Sequence, residues 1–194
     1  MTHTEQYLSE TAEIASRIDP VVVESMVQQL VDLRARNGRL FVIGLVVSSA
    51  NASHLVNDMR KLCDIEAYTP FDNVSEMTAR INDEGWNTCI RDWLNPYAKP
   101  QDALLVLSVG GGRRDSPVSA PIVTAIAWMR EMGGHVWGIV GKDGGVTKDW
   151  GHCVGIIPPL YPDRVTPHSE SFQAVIWHCI VSHPDLQRNR TKWG

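Results

Sequence analysis

Cysteine is scarce in this sequence of 194 residues, and no two cysteines form a CxxC pair. The four are spaced widely along the chain, at Cys63, Cys89, Cys153 and Cys179. This spacing resembles neither a zinc ribbon nor the disulfide framework of a small secreted domain. We therefore expect reduced thiols in or near the core of a cytoplasmic protein.

Two further absences narrow the class of protein. No apolar run approaches the roughly 20 residues that a membrane-spanning helix needs. Residues 1–20 are polar and acidic and have no apolar centre of the kind found in a signal peptide. The formal net charge is −4 and the basic residues are scattered, which argues against nucleic-acid binding. We expect a soluble cytoplasmic protein that binds neither a membrane nor nucleic acid.

The first 37 residues are predicted to form two helices. Apolar residues recur at helical spacing between residues 23 and 33. Asp19 is placed to cap the second helix, with Pro20 in its first position. Asn37 and Gly38 form a typical left-handed helix end. We expect these two helices to form an N-terminal arm.

Short apolar runs alternate with helical patterns over the rest of the chain. Each run is a candidate parallel strand, because such strands are buried under helices on both faces. The expected fold class is α/β, a doubly wound parallel sheet flanked by helices. We expect one domain over 1–194, with helices in 1–37, an α/β core in 38–183 and a tail in 184–194. The predicted strands are 39–44, 102–108, 135–140 and 153–157; the predicted helices are 48–62, 117–132 and 167–181, the last capped by Thr166 with Pro167 in its first position.

The segment 68–97 is less regular than its surroundings. Residues 76–81 and 86–94 are each compatible with a short helix. In an open parallel sheet, ligands bind beyond the carboxyl ends of the strands. Functional residues are therefore expected after Gly44, after Ser108, after Val140 and just before the last helix.

The first strand-to-helix connection carries small polar residues suited to a phosphate group, namely Ser48, Ser49 and Asn51. Hydroxyl groups and free amides at the start of a helix bind phosphate readily. The serines could equally do no more than cap the helix. The pattern alone leaves both interpretations open.

The second connection is rich in glycine. Ser108 is followed by Gly110, Gly111 and Gly112, then by two arginines, and the loop continues through Ser116 and Ser119. Glycine lets the backbone approach a ligand closely, and an arginine can pair with an anion. The loop matches neither a Walker loop nor a GxGxxG fingerprint. A flexible surface loop with exposed arginines would have the same sequence.

Two pairs of residues have side chains that can bind a metal. His54 and Asp58 lie four residues apart on a predicted helix, so both face the same side and could share a metal or a substrate proton. The pair could also be an ordinary surface contact. Glu170 and His178 lie on the last helix, about 12 Å apart along its axis and rotated by about 80°. Glu170 could serve only as a favourable charge in the first turn, and His178 only as a core or interface residue.

The order of these motifs resembles the phosphoheptose isomerases of the SIS (sugar isomerase) fold. The resemblance covers most of the chain, from the N-terminal helices to the helix that ends near Ser182. The matching segments are Gly44-Leu-Val-Val-Ser48, His54-x3-Asp58, Asn82-Asp83, Ser108 to Ser119, Gly141-Lys-Asp-Gly-Gly145 and Glu170-x7-His178.

The resemblance implies a sugar-phosphate isomerase with a divalent metal, zinc by its ligand type. The implied ligands are His54, Asp58, Glu170 and His178, a set of nitrogen and oxygen donors that suits zinc. The implied reaction is aldose–ketose isomerisation of sedoheptulose 7-phosphate through an enediol, with Asp58 as the base and His178 as the acid. The implied substrate-binding residues are Ser48, Ser49, Asn51, Asn82, Asp83, Ser108, Gly110, Gly111, Gly112, Ser116, Ser119 and Glu170.

This sequence departs from the family pattern in four places. Asp58 is one methylene shorter than the usual glutamate, and Glu170 stands where the family has a glutamine. Val46 and Val47 replace a glycine pair in the first loop, and the second loop is longer and has lost most of its hydroxyls. Two other functions are therefore also considered: a SIS regulator or adaptor that binds sugar phosphates without turnover, and an isomerase of another capsule or secondary-metabolite sugar.

The resemblance also implies assembly. We expect a homotetramer, with the N-terminal helices at an interface and the sites at subunit boundaries. Trp86, Trp93, Trp137 and Trp177 are expected to be core or interface residues and not platforms that stack on a sugar.

Overall fold

The computed structural model describes residues 1–192 and contains eight helices and five strands within them. Residues 193 and 194 of the expected tail lie outside the described residues. The helices are α1 (His3–Ser16), α2 (Pro20–Ala35), α3 (Val47–Cys63), α4 (Val74–Asp83), α5 (Cys89–Leu94), α6 (Ala120–Glu131), α7 (Gly145–Trp150) and α8 (Val165–Val181). The strands are β1 (Leu40–Ile43), β2 (Ala67–Tyr68), β3 (Ala103–Ser108), β4 (His135–Val140) and β5 (Cys153–Ile156).

The two N-terminal helices begin and end where local chemistry favours it. The Thr2 side chain accepts from the Glu5 amide while the Glu5 carboxylate accepts from the Thr2 amide, which is a complete capping box for α1. The Asp19 side chain accepts from the Val21 amide at the start of α2. After α2, Asn37 adopts φ 54°, the left-handed turn that the sequence predicts.

The five strands form one parallel sheet in the order β2-β1-β3-β4-β5. One hydrophobic cluster joins its first face to α2, α3 and α8, and another joins its second face to α5 and α6. All residues of β1 and β3 are buried, because helices cover both faces of these strands. The predicted α/β fold with a doubly wound parallel sheet is confirmed.

Some element boundaries differ from the predictions. The last helix begins at Val165 and not at Pro167, and its N-cap position is Arg164 and not Thr166. A 3-10 turn over Pro162–Arg164 leads directly into α8, and a proline in the first turn of a helix lacks only an amide that would have no partner there. The helix predicted at 117–132 begins later, at Ala120.

Two short elements were not predicted. Strand β2 has only two residues and α7 has six, so neither is long enough to show a clear period in the sequence. The irregular segment does contain two helices, α4 and α5, near the two predicted positions, with the Asn73 side chain capping α4.

Within residues 1–192, none of the helices combines the length and the apolar character that crossing a membrane requires.

Candidate active site

A polar seam runs along the contact between α3 and α8. Gln173 of α8 is fully buried, its Nε2 donates to Ser48 Oγ (3.0 Å) and its Oε1 accepts from Asn51 Nδ2 (2.8 Å). Asn51 Nδ2 also donates to the Glu170 backbone oxygen (3.0 Å). Ser48 and Asn51 are one turn apart on α3, so both can face the same partner helix. This seam fixes how the two helices lie against each other beside the sheet.

Further along the same pair of helices, a carboxylate lies between two imidazoles. Asp58 Oδ1 is 3.6 Å from His54 Nε2, and Asp58 Oδ2 is 3.6 Å from His178 Nε2. Asp58 is buried, whereas more than half of each histidine side chain is exposed. One donor atom from each residue lies within 4.8 Å of the others. The predicted His54 and Asp58 pair therefore does meet His178, which comes from a different helix.

Two neighbouring side chains hold the Asp58 carboxylate in place. Asn57 Nδ2 donates to Oδ1 (3.1 Å), and Trp177 Nε1 donates to Oδ2 (3.3 Å). Trp177 is buried in the core, as the sequence predicts. Its hydrogen bond to Asp58 was not predicted, because nothing in the sequence indicates which buried indole faces a carboxylate. Gln173 was missed for the same reason, since an isolated glutamine in an apolar helix carries no motif.

The three side chains fit a divalent metal. Zinc binds His nitrogen and carboxylate oxygen at about 2.0–2.2 Å, so tetrahedral ligand atoms lie about 3.3 Å apart. Each histidine nitrogen is 3.6 Å from a different oxygen of Asp58, and one donor atom from each of the three residues lies within 4.8 Å of the others. Two histidines and one carboxylate with an open position form a donor set known from catalytic zinc sites.

The predicted fourth ligand, Glu170, lies elsewhere along α8. It is eight residues before His178, about 12 Å along the helix axis. The cluster of potential ligands found within residues 1–192 consists of the other three residues. Glu170 instead lines a cavity next to the seam. Its role as a ligand stays a prediction.

That cavity has a volume of about 380 Å³ and lies at the carboxyl ends of β1, β3 and β4, where ligands are expected in this architecture. Half of the predicted substrate-binding residues line it. These are Ser48, Ser108, Gly110, Gly112, Ser119 and Glu170.

The other predicted residues do not line the cavity. Ser49 and Gly111 are next to lining residues in the chain, Ser116 lies two residues before the lining residue Val118, and Asn51 belongs to the seam. Asn82 and Asp83 are exposed at the end of α4, where Asn82 Nδ2 donates to Asp83 Oδ1 (2.7 Å). The role of these six residues in binding stays a prediction.

The glycine-rich loop is held against α7. Gly111 adopts φ 68°, and a side chain there would collide with the backbone oxygen of Gly144. The amide of Gly111 donates to Ser108 Oγ (3.0 Å), and its carbonyl accepts from both the amide and the hydroxyl of Thr147 (2.9 and 2.8 Å). The missing side chain of Gly111 thus lets the loop pack closely against the backbone of Gly144, and hydrogen bonds to Ser108 and Thr147 hold this part of the loop in place.

The first loop carries strain. Val46 adopts φ 58° and ψ −124° and is 85% exposed. A β-branched residue rarely takes a positive φ, because its side chain collides with the backbone. Gly44 remains necessary, since a Cβ there would collide with the Ser48 backbone. The valines that replace glycines therefore leave the loop with an exposed apolar edge at the cavity.

A second cavity of about 420 Å³ lies on another part of the molecule, among aromatic residues that include Phe41, Tyr68 and Trp93. It contains none of the residues that the sequence singles out as catalytic, metal-binding or substrate-binding. We therefore place the candidate active site at the α3–α8 seam and its adjoining cavity.

No protein-family model matches this chain. The phosphoheptose isomerase of Paramagnetospirillum magneticum is 27% identical over 191 residues, and the match covers 92% of each chain. The phosphoheptose isomerase of Chlorobium phaeobacteroides is 26% identical over 159 residues, which cover 78% of this chain and 68% of that protein. The chain is a relative of the phosphoheptose isomerases. The resemblance inferred from the motifs is thus confirmed.

A further relative is the lincomycin biosynthesis protein LmbN of Streptomyces lincolnensis, 28% identical over 183 residues. The match covers 91% of this chain, and the chain spans 66% of the length of that protein.

Solved phosphoheptose isomerases share the fold. GmhA from Neisseria gonorrhoeae superimposes with a TM-score of 0.79 at 18% identity, covering 92% of this chain and 95% of that one. A phosphoheptose isomerase from Francisella tularensis gives 0.77 at 18% identity, covering 93% and 97%. These two superpositions confirm the SIS fold that the phosphoheptose isomerase motifs imply.

Proposed function

We propose that this chain is an aldose–ketose isomerase that converts sedoheptulose 7-phosphate to D-glycero-D-manno-heptose 7-phosphate through an enediol. The observation that carries the proposal is the buried Asp58 carboxylate, with an imidazole 3.6 Å from each of its oxygens, in a relative of the phosphoheptose isomerases. A carboxylate base and an imidazole acid are the groups that this proton transfer needs.

The spacing of the site supports a substrate with several carbons between its reacting end and its phosphate. Ser48 lines the cavity, and His54 lies six residues further along α3, about 9 Å along the axis. We propose that the phosphate occupies the cavity and that the carbonyl end extends toward Asp58.

In the proposed reaction, Asp58 removes the proton from the carbon next to the carbonyl. The electrons of that C–H bond form the carbon–carbon double bond of the enediol, and His178 donates a proton to the carbonyl oxygen. Return of the proton to the neighbouring carbon, with loss of a proton from the other oxygen, completes the exchange. Asn57 and Trp177 keep the carboxylate oriented throughout, which matters because misplacement by about 1 Å can cost roughly a hundredfold in rate.

A divalent ion, zinc by its ligand type, is part of the proposal. His54, Asp58 and His178 would hold it. The proposed fourth ligand is Glu170 of a neighbouring subunit, because Glu170 of the same chain lies about 12 Å from His178 along α8. When bound, such an ion would supply Lewis-acid polarisation of the carbonyl oxygen in place of proton donation by His178, whose ligating nitrogen would carry no proton.

Transfer of a solvent proton tests the reaction directly. With sedoheptulose 7-phosphate in D2O, we expect deuterium at the carbon next to the carbonyl in the product, measured by NMR. Asp58→Asn should lower the rate at least about a hundredfold, because general base catalysis contributes 10²–10⁴-fold. Asp64→Asn is the matched control, because Asp64 is an exposed carboxylate at the end of the same helix.

Two outcomes would favour the alternatives. Binding of the sugar phosphate without deuterium exchange would favour a regulator or adaptor, an alternative suggested by the strained and apolar Val46 in the first loop. Exchange only with other sugar phosphates would favour an isomerase of a capsule or secondary-metabolite sugar, an alternative that agrees with the similarity to LmbN.

The proposal includes assembly and location. We propose a homotetramer in the cytoplasm, with active sites at the subunit interfaces. Exposed apolar side chains on the first two helices, Leu8 and Val21, support an interface there. The partial exposure of His54 and His178 leaves room for a second subunit to complete the site.

A further inference from the structure

Two cationic side chains stand at the mouth of the cavity. Arg113 and Lys142 both line the cavity that contains Ser48 and Glu170. Both also line an adjoining cavity of about 620 Å³. They therefore occupy the boundary between the two spaces, on the loops that follow β3 and β4.

The backbone donors at the start of α6 are already used. At the start of α6, the Ala120 amide donates to the Pro117 carbonyl, Pro121 has no N–H, and the Ile122 and Val123 amides both donate to the Ser119 carbonyl (3.0 and 3.4 Å). A helix start binds phosphate through its free amides. This one has no free amide over those four residues.

The amides at the start of α7 also already donate hydrogen bonds. The Gly145 amide donates to Asp143 Oδ1 (3.3 Å), and the amides of Val146 and Thr147 donate to the carbonyls of the glycine-rich loop (3.0 and 2.9 Å). The starts of α6 and α7 thus offer an anion no free amide over these residues.

The hydroxyls of the second loop supply little in their place. Ser108 Oγ accepts from the Gly111 amide, and Ser116 Oγ accepts from the Val118 amide (3.2 Å). Each hydroxyl can still donate one hydrogen bond, as can that of Ser119, but all are neutral. A phosphate dianion that leaves water for this cavity needs positive charge nearby.

Arg113 and Lys142 can supply that charge. No carboxylate oxygen lies within 4.0 Å of Lys142 among residues 1–192, and its Cδ lies 3.9 Å from the position that a Cβ on Gly110 would occupy. Arg113 Nε is 3.7 Å from Asp115 Oδ1, and both side chains are mostly exposed, so this pair holds the guanidinium only weakly. The acids on the cavity wall are Asp143, which accepts from Gly145, and Glu170, on α8.

We propose that Arg113 and Lys142 bind the phosphate of the substrate as a charged pair, in the place of the hydroxyls that the second loop lacks. An arginine can bind a phosphate through two parallel hydrogen bonds, and a lysine acts on it as a point charge. Binding by charge depends on salt more strongly than binding by neutral donors. The inference takes the identity of the sugar from the proposed function, but the phosphate site itself does not require turnover.

The first probe is inorganic phosphate, and its binding is measured by calorimetry or by ³¹P NMR. We compare the unmodified protein with Arg113→Gln/Lys142→Gln. The matched control is Arg114→Gln/Lys148→Gln, in which Arg114 lies over the Trp150 ring and Lys148 is exposed on α7. The expected result is at least a thirtyfold loss of phosphate affinity in the first variant and less than a threefold change in the control. Added sodium chloride should weaken binding to the unmodified protein.

Absence of phosphate binding in the unmodified protein would overturn the inference, as would equal affinity in the two double variants. Each single variant, Arg113→Gln and Lys142→Gln, changes an exposed side chain and should keep the fold, which circular dichroism checks. Each should show an intermediate loss.

Kinetics with the sugar phosphate separate this inference from the proposed function. The first double variant should raise KM about thirtyfold or more while kcat changes less than threefold. Turnover with an unchanged KM would overturn the phosphate site and leave the isomerase intact. Phosphate binding that depends on Arg113 and Lys142, without turnover by any variant, would overturn the isomerase and leave the phosphate site intact.

Discussion

Substitutions of single neighbours can show what each contact to the Asp58 carboxylate contributes. Each of its oxygens has one neutral donor and one histidine nearby, so the carboxylate is held from both sides. Partners that orient a metal ligand or a base are typically worth 10–100-fold in metal affinity or activity. The indole of Trp177 is the more informative of the two donors, because it can be removed while its ring packing is largely kept.

We expect Trp177→Phe to lower kcat about 10–100-fold and to change KM less than threefold, because the substitution removes the N–H that holds Asp58 Oδ2. Steady-state kinetics with the sugar phosphate measure both constants. Trp137→Phe is the matched control, since Trp137 is also fully buried and its Nε1 has no hydrogen-bond partner among residues 1–192. An equal loss of kcat in both variants would mean that Trp177 acts through packing alone.

Val46 shows how one residue changes a loop without changing the fold. It takes a positive φ that glycine would take without strain, and it stays exposed. Strain of this kind costs of order 1–3 kcal/mol and persists only where the surroundings impose it. Here the short connection between β1 and α3 imposes it.

At the scale of elements, the seam between α3 and α8 brings the potential metal ligands together. His54 and Asp58 belong to one helix and His178 to the other, so the cluster exists only while the two helices stay in contact.

We expect purified protein to contain one zinc per chain, measured by elemental analysis. His54→Ala/His178→Ala should lose it, because removal of two of the three clustered donors leaves a single carboxylate. His3→Ala/His183→Ala is the control, since neither of those histidines belongs to the cluster. Zinc that persists in the first variant, or that is absent from the unmodified protein, would contradict the proposed site.

A second contact between elements joins α1 to the start of α8. The buried Glu10 carboxylate accepts from the Arg164 guanidinium (2.7 and 2.5 Å) and lies 3.0 Å from His168 Nε2. The hydrogen bond from Arg164 is the largest cause that lowers the pKa of Glu10, to about 2 from an ordinary value of 4.5. The folded state therefore favours the charged carboxylate.

The lowered pKa of Glu10 predicts an acid-sensitive contribution to stability. A carboxylate whose pKa is depressed on folding stabilises the protein above its unfolded pKa, and this stabilisation is lost as the pH falls from about 4.5 toward 2. Glu10→Gln should lower the urea midpoint at pH 7 and reduce its further fall between pH 5 and 3. Urea titrations at several pH values measure this, with Glu13→Gln on the same helix as the control. If the urea midpoints of Glu10→Gln and of the unmodified protein fell equally with pH, the predicted role of Glu10 would be contradicted.

At the scale of the whole molecule, oligomeric state is the property to measure first. We expect light scattering to give four times the chain mass of 21.6 kDa. Leu8→Asp/Val21→Asp should give smaller species, because both exposed side chains lie on the proposed helical interface. A mass of one chain for the unmodified protein would contradict both the tetramer and sites shared between subunits.

Much of the fold followed from local rules. The runs in 102–108 and 135–140 were predicted as strands because a parallel strand under two layers of helices is apolar at every position. The caps at Asp19 and Asn37 followed from chemistry within a few residues. The two-residue strand β2 could not be found in this way, because pairing with β1 defines it and no sequence pattern does.

The sequence by itself determined the α/β class, the position of the loops at the carboxyl ends of the strands and the pairing of His54 with Asp58. The first two depend on the order of strands and helices along the chain, and the third depends on spacing within one helix, which backbone geometry sets. Only the tertiary structure decided that His178 and Trp177, about 120 residues further along the chain, meet Asp58, that Glu170 lies in the cavity, and that Gly111 packs against α7. Contacts between elements depend on how their buried faces pack, and spacing along the chain does not encode that packing.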